Sequence, residues 1–77
     1  MYVVFEFKDN TGKVIATNNM NKEMSYDEIK VILLCKEIGY PVNLGILYTI
    51  KQCEIENTVY DMVSEPYKLK LTLIEIQ

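Results

Sequence analysis

Glu54 and Glu56 are the two side chains whose type and spacing best suit acid–base chemistry. They lie two residues apart, so on a β-strand both carboxylates point to the same face. Such a pair can supply a general acid and a general base. On an acidic protein, however, neighbouring glutamates are more often part of a solvated surface, and we expect no catalytic role for them.

The chain has two further reactive groups, the thiols of Cys35 and Cys53. It contains no histidine, which excludes Ser-His and Cys-His pairs and an imidazole base. The cysteines lack the C-x-x-C spacing of zinc and redox sites, and the three glycines are isolated, so no phosphate-binding loop is predicted. We expect two buried, reduced thiols, with a disulfide or a reactive cysteine as the alternative. The sequence predicts no enzyme, no metal site and no cofactor.

Composition restricts the partners and the location of the protein. The net charge is −3, and the lysines do not cluster beyond Lys68 and Lys70, which disfavours direct binding to nucleic acid. No apolar run approaches the length of a membrane span, and no basic segment precedes the first strand as in a signal peptide. We therefore expect a cytoplasmic protein. The abundance of Ile, Asn, Lys and Tyr, without Arg, indicates an AT-rich genome, such as a low-GC bacterium or its phages and mobile elements.

The N-terminal third of the chain predicts a β-hairpin. Residues 2–8 alternate between apolar and polar side chains, which is typical of a half-buried strand. Residues 9–12 form a turn in which Gly12 can take a positive φ, and residues 13–17 are the predicted returning strand. The polar residues 18–23 are then expected to form a loop.

A helix is predicted over residues 26–38. Ser25 suits the N-cap and Glu28 completes a capping box, while Met24 and Ile29 can form a hydrophobic staple. Gly39 suits the left-handed residue after a helix, and the following Tyr-Pro pair cannot continue one.

The C-terminal half predicts more strands. Residues 46–56 are rich in β-formers and are interpreted as a strand, with a helix as the alternative. Residues 58–63 are either a loop or a short strand, and residues 67–76 alternate clearly as a strand. Together the elements predict one small α+β domain over residues 1–77. It has an antiparallel sheet of four to five strands, one helix packed on one face, the order ββαββ(β), and the last strand beside the first.

The predicted helix carries apolar residues around more of its circumference than packing on one sheet requires. The run VILLC at 31–35 helps to spread apolar residues over roughly 260°, whereas a helix on one sheet needs a stripe of about 100° or somewhat more. The surplus can be covered by a curled sheet, by the loop 40–45, or by a second protein chain. The two flanks are Ile29, Ile32 and Leu33 on one side, and Val31, Leu34 and Ile38 on the other. The sequence does not show which flank faces the sheet, and the second set is the candidate partner surface.

An acidic stretch is the second candidate partner surface. No basic residue lies between Lys51 and Lys68, a segment that contains four acids interleaved with Tyr60 and Asn57. Such a stretch can dock on a basic surface of another protein, although an ordinary solubilising surface is the alternative. The candidate residues are Glu54, Glu56, Tyr60, Asp61 and Glu65.

Two functional hypotheses follow from these patterns. The first is a small non-enzymatic protein-interaction module: a phage- or mobile-element-encoded binder or inhibitor of a host or defence protein, with a homodimer as one form of the interaction. The alternative is a small-ligand-binding domain with a pocket between helix and sheet. Tyrosines such as Tyr40 and Tyr48 would line that pocket.

Overall fold

A computed structural model describes residues 1–15, 21–44 and 47–76 of the chain. Within them the element order is ββαβββ, so the predicted α+β class is confirmed, whereas the second and third strands are not the segments that were predicted. No helix in these ranges is long and apolar enough to cross a membrane. The elements are β1 Tyr2–Lys8, β2 Asn21–Glu23, α1 Tyr26–Leu34, β3 Ile38–Leu44, β4 Leu47–Asp61 and β5 Lys68–Glu75.

The five strands form one mixed sheet in the order β2-β1-β5-β4-β3. The last strand lies beside the first, as predicted, but β5 runs parallel to β1, with Val3 opposite Leu69 and Phe7 opposite Leu73. All other pairs are antiparallel. The prediction of a purely antiparallel sheet was therefore wrong, because alternation of apolar residues shows which side chains are buried but not in which direction a distant strand runs.

The first strand and its turn are as predicted, but the returning strand is not. Gly12 has a φ of 87°, and the Asp9 carboxylate accepts hydrogen bonds from the backbone N–H groups of Thr11 and Lys13. Within residues 13–15, the predicted strand is reduced to one bridge between Val14 and Lys8; residues 16 and 17 lie outside the described residues. The antiparallel partner of β1 is instead β2, which comes from the predicted loop.

The helix begins where the sequence predicts and ends earlier. The Ser25 hydroxyl accepts from the N–H of Glu28 at 3.2 Å, and the Glu28 carboxylate accepts from the N–H of Ser25 at 3.4 Å, so the capping box is confirmed. The helix ends at Leu34, and Cys35 has extended backbone angles. Gly39 does not end the helix; it lies in β3 opposite Gln52. Pairing with β4 holds this segment extended and overrides its helical pattern.

The strand interpretation of the C-terminal half is confirmed. The segment predicted at 46–56 is a strand in its described part, and β4 continues through it to Asp61 without a break. A register shift against β5 lies between Ile55 and Asn57. A bulge of this kind bends a strand. On its N-terminal side β4 pairs mainly with β3, and on its C-terminal side it pairs with β5.

The bend folds the β3–β4 hairpin over the core face of the sheet. The Tyr40 ring lies 5.5 Å from that of Phe7 and 6.1 Å from that of Phe5, measured between ring centroids. In a flat sheet β3 and β1 would be about 14 Å apart, since three strand spacings separate them. The sheet therefore covers much of its own core. The buried apolar residues are Val3, Phe5, Phe7, Met24, Ile29, Tyr40, Val42, Cys53, Leu69, Leu71 and Leu73.

Candidate functional site

The helix presents an apolar surface to solvent. Ile29 is buried and Ile32 packs partly against the core, so these two residues face the sheet, whereas Leu33, which was assigned to the same flank, is 47% exposed. Val31 and Leu34, which are 62% and 84% exposed, lie about 200° and 140° around the helix from Ile29. They therefore point away from the sheet, and we call Val31 and Leu34 the apolar flank.

Ile38 does not belong to the apolar flank, contrary to the sequence prediction. It is the first residue of β3, it is partly buried, and it packs against the core. Residues 40–44 also do not form a loop that covers the helix, as one alternative proposed for 40–45, because Tyr40 and Val42 are core residues of β3. Neither the hairpin nor the curled sheet buries Val31 or Leu34, which stay exposed.

A second exposed apolar surface lies at the turn between β4 and β5. Val63 is 92% exposed, Met62 59%, Tyr60 48% and Tyr67 42%. The two tyrosine rings meet edge to face with their centroids 6.5 Å apart, which joins the two ends of the turn. We call Tyr60, Met62, Val63 and Tyr67 the tip. Of these residues Tyr60 alone was predicted from the sequence; the adjacent Met-Val pair inside a polar turn was the signal for the rest.

Polar contacts fix the shape of the tip. The Asp61 carboxylate accepts a hydrogen bond from the backbone N–H of Val63 at 2.9 Å, and the Lys68 ammonium lies 3.6 Å from its other oxygen. Glu65 is exposed in the turn. Asp61 therefore holds the turn and is partly neutralised, while Glu65 adds negative charge beside the apolar side chains.

The acidic residues predicted from the sequence are spread out. Glu56 lies 2.7 Å from the Lys8 ammonium, and this hydrogen bond and its charge raise the pKa of Lys8 above its usual value. Glu54 and Asp61 are seven residues apart on one strand, about 23 Å. Lys8 of β1 and Lys68 of β5 thus balance Glu56 and Asp61, and the acids form no single dense patch.

The Glu54–Glu56 pair lies on the outer face of the sheet, away from the core. Ile74 pairs with both Glu54 and Lys8, so these side chains share one face, and the ion pair brings Glu56 to the same place. Both glutamates are exposed. In the part of the chain that the structure describes, no group of three or more Cys, Asp or Glu side chains is placed to hold a metal ion.

The two cysteines have different environments. Cys53 is fully buried in β4, its thiol donates to the Ile38 carbonyl at 3.2 Å, and burial raises the pKa of the Cys53 thiol to about 11. Cys35 is exposed at the end of the helix, where its thiol contacts the Val31 carbonyl at 3.1 Å. The expectation that both thiols are buried was therefore wrong for Cys35, because the helix ends there instead of carrying the residue across the core.

Tyr40, proposed from the sequence to line a ligand pocket, is a core residue. Its side chain is 3% exposed and its ring stacks on Phe7 with only 4° between the planes. Its hydroxyl is buried without a hydrogen-bond partner in the described structure. The side chain of Tyr48 lies outside the described residues. The geometry of Tyr40 therefore gives the small-ligand hypothesis no support.

Two surfaces, the apolar flank of the helix and the tip of the β4–β5 turn, carry the functional interpretation. They lie on different elements, so each can be altered without changing the other. Comparison of the chain with models of protein families, with curated proteins and with solved structures found no match.

Proposed function

We propose that the protein is a small non-enzymatic interaction module that binds another protein through the tip. The observation that carries the proposal is the exposure of Met62 and Val63 beside the Tyr60–Tyr67 pair. Leaving apolar side chains in water forfeits the free energy that burying them would supply, so a cluster of them usually marks a contact surface. Tyrosine and methionine are also enriched at protein interfaces.

The tip suits a partner with an apolar pocket bordered by basic side chains. Val63 is the most exposed apolar side chain of the turn and would enter the pocket. Glu65 lies two residues away, and the chain as a whole carries a net charge of −3. Attraction between this acidic protein and a basic rim would speed association and weaken with added salt.

The biological role that we propose is that of a phage- or mobile-element-encoded inhibitor of a host or defence protein. The amino-acid composition indicates an AT-rich genome, such as those of low-GC bacteria and their phages. The chain is small and acidic, which suits a protein that blocks the surface of another protein, and without histidine it lacks imidazole chemistry. Such an inhibitor needs only to occupy a surface, which the rigid turn between two paired strands is suited to do.

The proposal is tested by affinity capture from a lysate of the natural host, with wild-type protein and two double variants. Met62→Ser/Val63→Ser removes the apolar side chains of the tip. Val31→Ser/Leu34→Ser changes a similar apolar area on the helix and serves as the matched control. All four residues are exposed, so both variants should stay folded by circular dichroism.

We expect one captured protein to be lost with the tip variant, retained with the helix variant, and bound more weakly as salt is raised. Purified partner and calorimetry would then give the affinities. Equal capture by the wild type and the tip variant would overturn the assignment of the tip as the binding surface.

A further inference from the structure

We propose that the apolar flank of α1 joins two copies of this chain, with the two helices antiparallel. This inference does not depend on the tip, which lies on other strands. Val31 and Leu34 point away from the chain's own core, so no rearrangement of the sheet beneath α1 would bury them. A second copy is the occupant that the charges around the flank favour.

The charges at the two ends of the helix are complementary to each other. Asp27 lies about 160° around the helix from Ile29, between Leu34 and Val31, so it continues the apolar flank towards the N-terminal end. Lys36 is exposed two residues beyond the C-terminal end. Among the described residues, neither Asp27 nor Lys36 has an ion-pair partner.

An antiparallel pairing brings these two charges together. When Val31 of one copy lies beside Leu34 of the other, Asp27 falls opposite the segment just past the end of the second helix. Lys36 stands two residues past Leu34, at a bend of the chain, and its exposed side chain is long enough to reach that level. The twofold axis repeats the pair, so two ion pairs flank one apolar centre. A parallel pairing would instead bring Asp27 against Asp27.

The flank also suits a second copy because its charges sum to zero. The whole chain carries −3, so two copies repel each other on average. The exposed charged residues around Val31 and Leu34 cancel; they are Asp27, Glu28, Lys30 and Lys36. This surface therefore adds no net repulsion between two copies of the chain.

The dimer is expected to be weak. A nine-residue helix is about 14 Å long, and the surface it buries is smaller than that of most stable dimers. We expect a dissociation constant of roughly 10 to 500 μM. Sedimentation equilibrium over about 10 μM to 1 mM should therefore show the mass rising from 9.0 kDa towards twice that value.

Charge reversal gives the sharpest test. Asp27→Lys and Lys36→Asp should each weaken self-association by at least about tenfold, because each places like charges opposite one another. The two variants mixed should associate as the wild type does, since the mixed dimer again has two ion pairs, one of them reversed and the other as in the wild type. A loss of folding cannot mimic this rescue.

Two controls separate this surface from the others. Glu54→Lys changes the charge by the same amount on the outer face of the sheet, away from α1, so it should not weaken the dimer. Val63→Lys alters the tip and should leave the dimer intact. Leu34→Lys should give a folded monomer. A wild-type protein that is monomeric at 1 mM, or single variants that do not rescue each other when mixed, would overturn the proposal.

Discussion

Tyr40 and Phe7 stack with their ring planes 4° apart, although two strands of the sheet separate β3 from β1. The contact shows that the folded-over β3–β4 hairpin, more than the helix, closes the core of this small domain. Of the helix residues, Ile29 alone is buried. A partner that binds the apolar flank therefore does not need to displace the main part of the core.

Removing the Tyr40 hydroxyl should stabilise the protein. The oxygen is buried without a hydrogen-bond partner in the described residues, and such a group costs about 1–3 kcal/mol. Tyr40→Phe keeps the stacked ring and should raise the free energy of unfolding by about 1 kcal/mol. Tyr40→Ala should lower it by about 3 kcal/mol. Urea melts measure both, with Tyr26→Phe on the exposed helix surface as the unchanged control. A destabilised Tyr40→Phe would show that the hydroxyl has a partner.

Local chemistry in the sequence predicted the elements that local interactions define. The capping box at Ser25, the turn at Gly12 and the alternation of β1 and β5 depend on residues a few positions apart, and all are present. The end of the helix is not local: Ile38, Gly39 and Tyr40, which were predicted to end it, pair with residues of β4 more than ten positions away. The parallel pairing of β1 with β5 has the same origin, since it joins the two ends of the chain.

The candidate site was predicted only in part for the same reason. Val31 and Leu34 were identified from their helical spacing, and they are exposed. Ile38 was assigned to the same flank because the helix was taken to be longer. The acidic stretch was predicted from consecutive residues alone. In the folded protein Lys8 of β1 lies against Glu56, and Lys68 of β5 lies against Asp61.

The two cysteines should react with thiol reagents at very different rates. The thiolate is the reactive form, and burial raises the pKa of Cys53 to about 11, so very little of it is ionised near neutral pH. Cys35 is exposed and should be labelled quickly by a maleimide in the native protein. Mass spectrometry should show one label, none in Cys35→Ser, and two in denaturant. Rapid labelling of native Cys35→Ser would contradict the burial of Cys53.

Loss of the helix cap should cost measurable stability. Ser25→Ala removes the acceptor for the N–H of Glu28 and should lower the free energy of unfolding by about 1 kcal/mol. Ser64→Ala, in an exposed turn, is the matched control and should leave the urea midpoint unchanged. Equal midpoints for all three proteins would mean that the Ser25 hydroxyl does not stabilise the helix.

Asp9 should contribute to the acid sensitivity of the fold. Its side-chain hydrogen bond from Thr11, and then the backbone N–H of Lys13, lower the pKa of Asp9 below its ordinary value of 3.8. A lowered pKa stabilises the folded state above the ordinary value, and this contribution is lost as the pH falls through the folded value. Urea midpoints of wild type and Asp9→Asn should therefore differ near neutral pH and converge towards about pH 2. A difference that is constant with pH would show that the charge of Asp9 has no part in holding the turn.

The two glycines that were predicted to take a left-handed conformation, Gly12 in a turn and Gly39 after the helix, should respond differently to alanine. Gly12 has a φ of 87°, which residues with a Cβ rarely adopt, so Gly12→Ala should cost about 1 kcal/mol even though open space surrounds it. Gly39 lies in a strand without a positive φ, and an added Cβ would come 3.2 Å from Cγ2 of the exposed Ile50. That side chain can move by a few tenths of an ångström, so Gly39→Ala should change the urea midpoint less than Gly12→Ala. The reverse order would mean that Gly39 takes a left-handed conformation in solution, as it would at the end of a longer helix, and that β3 begins after it.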